Sequence, residues 1–165
     1  MRLRWLVLLL TVLVLGGCSV AAKDDAEQQQ APAFTLKDLN GEEVSLQQYE
    51  GKLVLLSFWN SWCGPCKTEM PILQKLQTEY PDQVAVIGVN LSFQDIMKDV
   101  KAFVEDHQIE YKIALDKLGE VADSYQVREL PVLYLISPEG KILKRMVGAG
   151  TEEALRSEIE KNIEK

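Results

Sequence analysis

Sulfur and imidazole are scarce: the chain has three cysteines and one histidine in 165 residues. A closed tetrahedral zinc site takes four cysteine or histidine ligands. Cys63 and Cys66 would need two more, and outside that pair the folded part offers only His107, on a separate predicted helix. No metal site is expected, and no motif calls for an organic cofactor. Basic charge is also in deficit, with 18 Lys and Arg against 25 Asp and Glu and a net charge of −7. A nucleic-acid surface needs the opposite balance, so no nucleic-acid partner is expected. No internal repeat is visible, which argues against a solenoid or propeller.

What is present begins with "MRLRWLVLLLTVLVLGGCSV". Arg2 and Arg4, an apolar run and then small residues form a secretory leader pattern. Leu15-Gly16-Gly17-Cys18 resembles the bacterial lipobox, in which cleavage before the cysteine leaves that thiol to carry lipid. Residues 1–17 would then be a signal peptide and 18–33 a lipidated N-terminus with a flexible spacer. Trp5 to Ala22 is also free of charge over about the minimum span for a membrane helix, so an uncleaved anchor is the alternative. Both readings put Arg2 and Arg4 on the cytoplasmic side and the rest of the chain outside, tethered to the cell membrane. Disulfides persist in that compartment. With Cys18 taken by the anchor, Cys63 and Cys66 are the remaining pair.

The segment "AAKDDAEQQQAPA", Ala21 to Ala33, has no large apolar side chain and reads as spacer. Residues 34–165 read as one domain. Phe34, Leu36 and Leu39 before Asn40-Gly41, and Val44 and Leu46 after it, predict a hairpin. "KLVLLSF" and "VAVIGVN" are nearly continuous apolar runs, expected of strands covered on both faces. Between them, Met70, Leu73, Leu76 and Tyr80 recur at helical spacing, with Pro71 expected to kink that helix. Ile96, Val100, Phe103 and Val104 predict one face of a second helix. A short strand, "YKIALD", and a short helix, "KLGEVADSYQV", follow. Strands at Val132–Ser137 and Lys141–Val147 flank the turn Pro138-Glu139-Gly140, and a last helix spans Glu152–Glu164. Alternating strands and amphipathic helices predict an α/β domain with a mixed central sheet flanked by helices.

"SFWNSWCGPCKTEMP", Ser57 to Pro71, puts the two cysteines where a buried strand gives way to a helix. Unpaired N–H groups and the dipole at a helix N-terminus favour thiolate over thiol at Cys63. Lowering a thiol pKa from about 8.5 to about 7 raises the thiolate fraction roughly fifteen-fold at neutral pH, while nucleophilicity falls roughly five-fold. The larger effect is on leaving-group quality, and so on the redox balance of the pair. A purely structural disulfide across two residues would restrict the unfolded chain little. A redox pair is the better account.

"FWNSWCGPCKTEMP" resembles the active-site segment of the thioredoxin superfamily. "APAFTLKDLNGEEVSLQQYEGKLVLLSFWNSWCGPC" and "ELPVLYLISPEGKI" resemble its membrane-tethered TlpA/ResA-like branch. The resemblance implies a thioredoxin-like fold with an N-terminal β-hairpin extension and a central βα insertion. It implies that Cys63 attacks a substrate disulfide and Cys66 resolves the mixed disulfide, with Trp62, Gly64 and Pro65 shaping the site. It further implies a cis peptide at Leu130-Pro131, where the backbone of Leu130 would pair with an extended substrate. Cytoplasmic thioredoxins carry a buried carboxylate six residues before the first cysteine, and Ser57 stands there here. Asp95 reads as a helix cap, Glu69 as an ordinary first-turn carboxylate and Lys67 as a surface charge. Trp59 and Trp62 are expected to shield the pair, and His107 to be a solvated helix end.

The function implied is a thiol-disulfide oxidoreductase that reduces exported proteins, apocytochrome c among them, and draws electrons from a membrane thiol donor. Two alternatives stand beside it. The N-terminal half also resembles AhpC/TSA-type thiol peroxidases, although the residues before Cys63 lack their P-x-x-T-x-x-C pattern. A non-catalytic peptide-binding module on the same fold is the other.

Overall fold

The computed structural model describes residues 29–163. The predicted leader, Cys18 and the first part of the spacer lie outside the described residues. The described strands are β1 (Thr35–Asp38), β2 (Glu43–Ser45), β3 (Leu53–Trp59), β4 (Val84–Asn90), β5 (Lys112–Leu115), β6 (Val132–Ile136) and β7 (Ile142–Val147). The helices are α1 (Gly64–Glu79), α2 (Met97–Asp106), α3 (Glu120–Ser124) and α4 (Glu152–Ile163). The seven strands form one sheet in the order β2-β1-β5-β4-β3-β6-β7. Pairings β3/β4 and β4/β5 are parallel and the others antiparallel, which makes the sheet mixed as expected.

Alternation along the central strands divides the interior into two layers, because successive side chains point to opposite faces. Leu53, Leu55 and Trp59 of β3, with Leu133 and Leu135 of β6, pack against α1, α2 and α4. Val54, Leu56 and Phe58 of β3, with Val132, Tyr134 and Ile136 of β6, pack against α3, Phe34 and Leu46. Every residue of β3 and β4 is buried, which is why neither shows a polar alternation in the sequence. Helix α2, strand β5 and helix α3 lie between β4 and β6 in the chain. Strand β5 seats β1 beside the core strands, so the N-terminal hairpin continues the main sheet.

Four details differ from the sequence-based expectations. The spacer, expected to run to Ala33, is already paired at Gln29. The Ile142 amide donates to the Gln29 carbonyl and the Ala31 amide to the Gly140 carbonyl, each at 2.9 Å, and Ala31 is buried. Backbone pairing needs no large side chain, so a polar composition did not preclude it. Leu46, expected in the second hairpin strand, opens a 3₁₀ turn, Leu46–Tyr49, and is buried there. Helix α1, read in the sequence as starting at Cys66, begins two residues earlier, at Gly64. Ile96, expected on the buried face of α2, precedes the helix and is 65% exposed.

Candidate active site

Strand β3 ends at Trp59, and four residues later Cys63 becomes the N-cap of α1. Its extended backbone, with φ −80° and ψ 108°, is what an N-cap position requires. The sulfur takes the place of a capping oxygen: the Cys66 amide donates to Cys63 Sγ at 3.3 Å. Pro65 sits in the first turn, where a missing N–H leaves no helical bond unmade. Gly64 and Pro65 are exposed at the tip. Cys63 and Cys66 are joined in a disulfide, with S–S 2.07 Å and Cα–Cα 5.3 Å. Cys66 is completely buried and Cys63 is 5% exposed, so an incoming group reaches Cys63 first.

In front of Cys63 lies a cleft of about 660 Å³. Trp62, Gly64 and Pro65 form one wall, Phe93 and Gln94 another, and the stretch from Val127 to Leu130 a third. The Leu130-Pro131 peptide is cis, as the resemblance implied. Pro131 itself gives its carbonyl to the Gly148 amide at 2.9 Å. Strand β6 pairs with β3 only from Val132 onward, which leaves Leu130 at the mouth of the cleft, outside the sheet.

Trp62 lines the cleft beside Cys63. It is 60% exposed, and its indole N–H donates to the Gln94 carbonyl at 3.1 Å, which holds the ring on the cleft wall. Trp59, by contrast, is fully buried in the layer containing both cysteines.

Asp95 is not the N-cap of α2, which is Ile96. Its carboxylate instead gathers the Ser61 hydroxyl, the Ser61 amide and the side-chain amides of Asn60 and Asn90. Burial pushes its pKa up, but the bonds from Ser61, Asn60 and Asn90 together hold it below the ordinary carboxylate value. It therefore stays ionised and ties the cysteine-bearing loop to the end of β4.

Glu69 overturns its sequence-based reading most clearly. It is 1% exposed, facing the interior one helical turn after Cys66. The Gly150 amide donates to Oε1 at 2.9 Å and the Ser57 hydroxyl to Oε2 at 3.3 Å. Burial raises its pKa, and the bonds from Gly150 and Ser57 offset only part of that rise. Ser57 thus holds the place of a strand carboxylate while binding one supplied by the helix. The available signal was position 69 itself, three residues after Cys66 and four before Leu73 on the buried stripe of α1.

The remaining assignments are peripheral. Lys67 is exposed, and His107 is an exposed C-cap whose ring stacks on Phe103 at 4.1 Å. Among the described residues no cluster of three potential metal ligands occurs. Cys18 lies outside the described residues.

The AhpC/TSA family profile matches residues 28–145. The chain belongs to that family. Its relatives there include the thioredoxin-like protein YneN of Bacillus subtilis, 43% identical over 135 residues that span 81% of this chain and 79% of YneN. The thiol-disulfide oxidoreductase ResA of the same organism is 35% identical over 152 residues, 88% of this chain and 84% of ResA. Among solved structures, the thioredoxin domain of a thiol-disulfide oxidoreductase from Bacteroides vulgatus superposes with a TM-score of 0.73 at 31% identity, covering 82% of this chain and 96% of that one. StoA from Bacillus subtilis superposes with a TM-score of 0.66 at 32% identity, covering 77% and 96%. With this fold and a Cys63–Cys66 disulfide at the head of α1, the family member described here is a thioredoxin-like thiol-disulfide oxidoreductase.

Proposed function

We propose that the protein is tethered to the outer face of the cell membrane and reduces disulfides of exported proteins there, apocytochrome c among them. The observation that carries this reading is a Cys63–Cys66 disulfide at a helix N-terminus, with Cys63 facing a cleft that ends at the cis Leu130-Pro131 peptide.

In the reduced protein, the Cys63 thiolate attacks one sulfur of the substrate disulfide. A mixed disulfide forms and the other substrate sulfur leaves as a thiolate. Cys66 then attacks Cys63 Sγ, expels the second substrate thiolate and closes the Cys63–Cys66 disulfide. Two electrons have passed to the substrate, and a membrane thiol donor returns them. Trp62, Gly64 and Pro65 wall the cleft, while the Leu130 backbone lies beside it to pair with an extended substrate segment. Glu69 takes the proton of Cys66: it is buried one turn away, and its raised pKa brings it closer to that of a thiol.

The reduction potential of the Cys63–Cys66 couple tests the direction. A value of about −270 mV or lower is expected, whereas one near −120 mV would make the protein an oxidant. The mass of the membrane-bound protein tests the tether. A lipid-modified chain that begins at Cys18 is expected, and an intact chain still carrying residues 1–17 would assign an uncleaved helix instead.

A further inference from the structure

Large apolar side chains on a protein surface are ordinary when scattered and informative when gathered. Among the described residues five are exposed: Trp62, Phe93, Ile96, Leu118 and Val147. Three of them, Trp62, Phe93 and Leu118, line the cleft in front of Cys63, at 60%, 52% and 78% exposure. The other two adjoin it. Ile96 lies two residues beyond the wall residue Gln94, and Val147 pairs with Val132, the residue after Pro131. The exposed apolar surface is therefore gathered at the pole of the sheet that carries the disulfide.

The fold holds this surface in place. Gly119 has a left-handed backbone, φ +78°, and the Phe93 ring rests against it: a Cβ there would lie 3.1 Å from Phe93 Cε1 and 3.4 Å from Cδ1 and Cζ. The buried Asp116 carboxylate fixes that turn by accepting from the Gly119 and Ala122 amides, each at 2.9 Å. The Ser92 amide donates to the Asp116 carbonyl at 3.0 Å, which joins the segment before Phe93 to the same turn. Trp62 is held by its bond to the Gln94 carbonyl. Walls fixed before a ligand arrives cost little ordering entropy on binding. Charge on the lining is almost balanced: Arg128 pairs with Asp123 at 3.3 Å, and Glu129 adds one negative charge.

We propose that this cleft selects its substrates by sequence, docking an extended polypeptide segment with a large apolar or aromatic side chain two residues from the cysteine under attack, and that Phe93 and Leu118 set the preference. The proposal rests on the reading of Cys63 as the attacking sulfur. Whatever reacts there must bring a sulfur to Cys63, so the adjoining apolar surface meets the chain that carries that sulfur. Side chains alternate along an extended segment, so residues two positions from the cysteine share its side, about 7 Å further along. A cleft of about 660 Å³ lies within the roughly 300–1,000 Å³ of sites that enclose a drug-sized group, and a disulfide alone would leave most of it empty. An apolar side chain from the substrate gains by leaving water there, whereas an anionic one meets Glu129.

Full-length protein carrying Cys66→Ser isolates the first step. The Cys63 thiolate attacks one sulfur of a disulfide-linked peptide dimer; one peptide stays bonded to Cys63 and the other leaves as a thiolate. Each peptide has a single cysteine, with Phe, Ser or Glu at both positions two residues from it. The rate of adduct formation at Cys63, read by mass spectrometry, is divided by the rate at which the same dimer reacts with glutathione, which removes differences in the peptides' own reactivity. The Phe peptide is expected to react about tenfold faster than the Ser peptide, and the Glu peptide slowest. Phe93→Ala and Leu118→Ser are each expected to cut the Phe-to-Ser ratio by about threefold or more, while Phe93→Leu keeps most of it. A ratio near one before either substitution, or a ratio that neither Phe93→Ala nor Leu118→Ser changes, would overturn the proposal. So would a crosslinked dimer of the protein that Phe93→Ala abolishes, because the surface would then belong to a second copy of the chain. The trapping rate does not depend on the reduction potential of the couple, so an oxidising potential would overturn the reducing direction and leave the preference standing.

Discussion

The two faces of the sheet treat their polar groups differently. On the face covered by α3 and the N-terminal segment, both buried tyrosines are bonded. Tyr125 Oη donates to the Pro32 carbonyl at 2.7 Å, and Tyr134 Oη donates to the Tyr125 carbonyl and accepts from Arg145 Nε. Their rings also meet each other and Phe58 at centroid distances of 5.1 to 6.1 Å. On the face covered by α1, α2 and α4, among the described residues, a carboxylate is buried without a counter-cation and two donors lack protein partners. A fully bonded interior contributes stability, whereas a buried carboxylate with a raised pKa costs stability and supplies chemistry. The cysteine pair belongs to the second face.

Substitutions can break or sharpen this contrast. The largest effect is expected from Cys66→Ser, which removes the resolving thiol on the chemical face. Turnover should fall by about a thousandfold or more, with the mixed disulfide to Cys63 accumulating in non-reducing electrophoresis. Thermal unfolding should change little, because a two-residue loop gains little from closure. Tyr134→Phe should do the reverse on the other face. It leaves the Tyr125 carbonyl and the Arg145 donor without their partner, at a cost of about 1–3 kcal/mol in denaturant unfolding, while the reduction potential stays unchanged. A loss of activity at constant stability would break the division.

The smallest effect is expected from Glu69→Gln, measured as stability against pH. Burial raises the folded-state pKa of Glu69 above its unfolded value. Its favourable contribution is therefore complete below the unfolded pKa and is lost as pH rises through the folded one. The oxidised wild type should lose stability with rising pH across that window. Glu69→Gln should remove this part of the slope and be more stable above the folded pKa by about 1.4 kcal/mol for each pH unit separating the folded and unfolded values. A variant less stable than wild type at neutral pH would show that the Ser57 and Gly150 bonds outweigh desolvation.

Much of this arrangement was legible in the sequence where one physical rule acts alone. Val84–Asn90 was read with the bounds the structure shows, because a strand buried on both faces is an unbroken apolar run. Leu130-Pro131 and the cysteine pair carried a family resemblance that the fold bears out. The failures have a common cause in bonds whose partners are distant in sequence. Glu69 looks like a surface charge until Ser57 and Gly150, 12 and 81 residues away, are brought to it. Asp95 looks like a helix cap until it meets Ser61, 34 residues earlier. The bond from Trp62 to the Gln94 carbonyl, 32 residues away, was likewise invisible in the sequence.

The pairing of Gln29 and Ala31 with residues 140–142 fixes where the described chain enters the domain. Val132 of β6 stands beside Phe58, next to the cysteine loop, and Ile136 stands beside Val54 at the other end of β3. The turn that receives Gln29 and Ala31 follows Ile136, so the polypeptide enters the domain at the pole opposite the disulfide. The disulfide and the point where the described chain enters the domain therefore lie at opposite ends of β3.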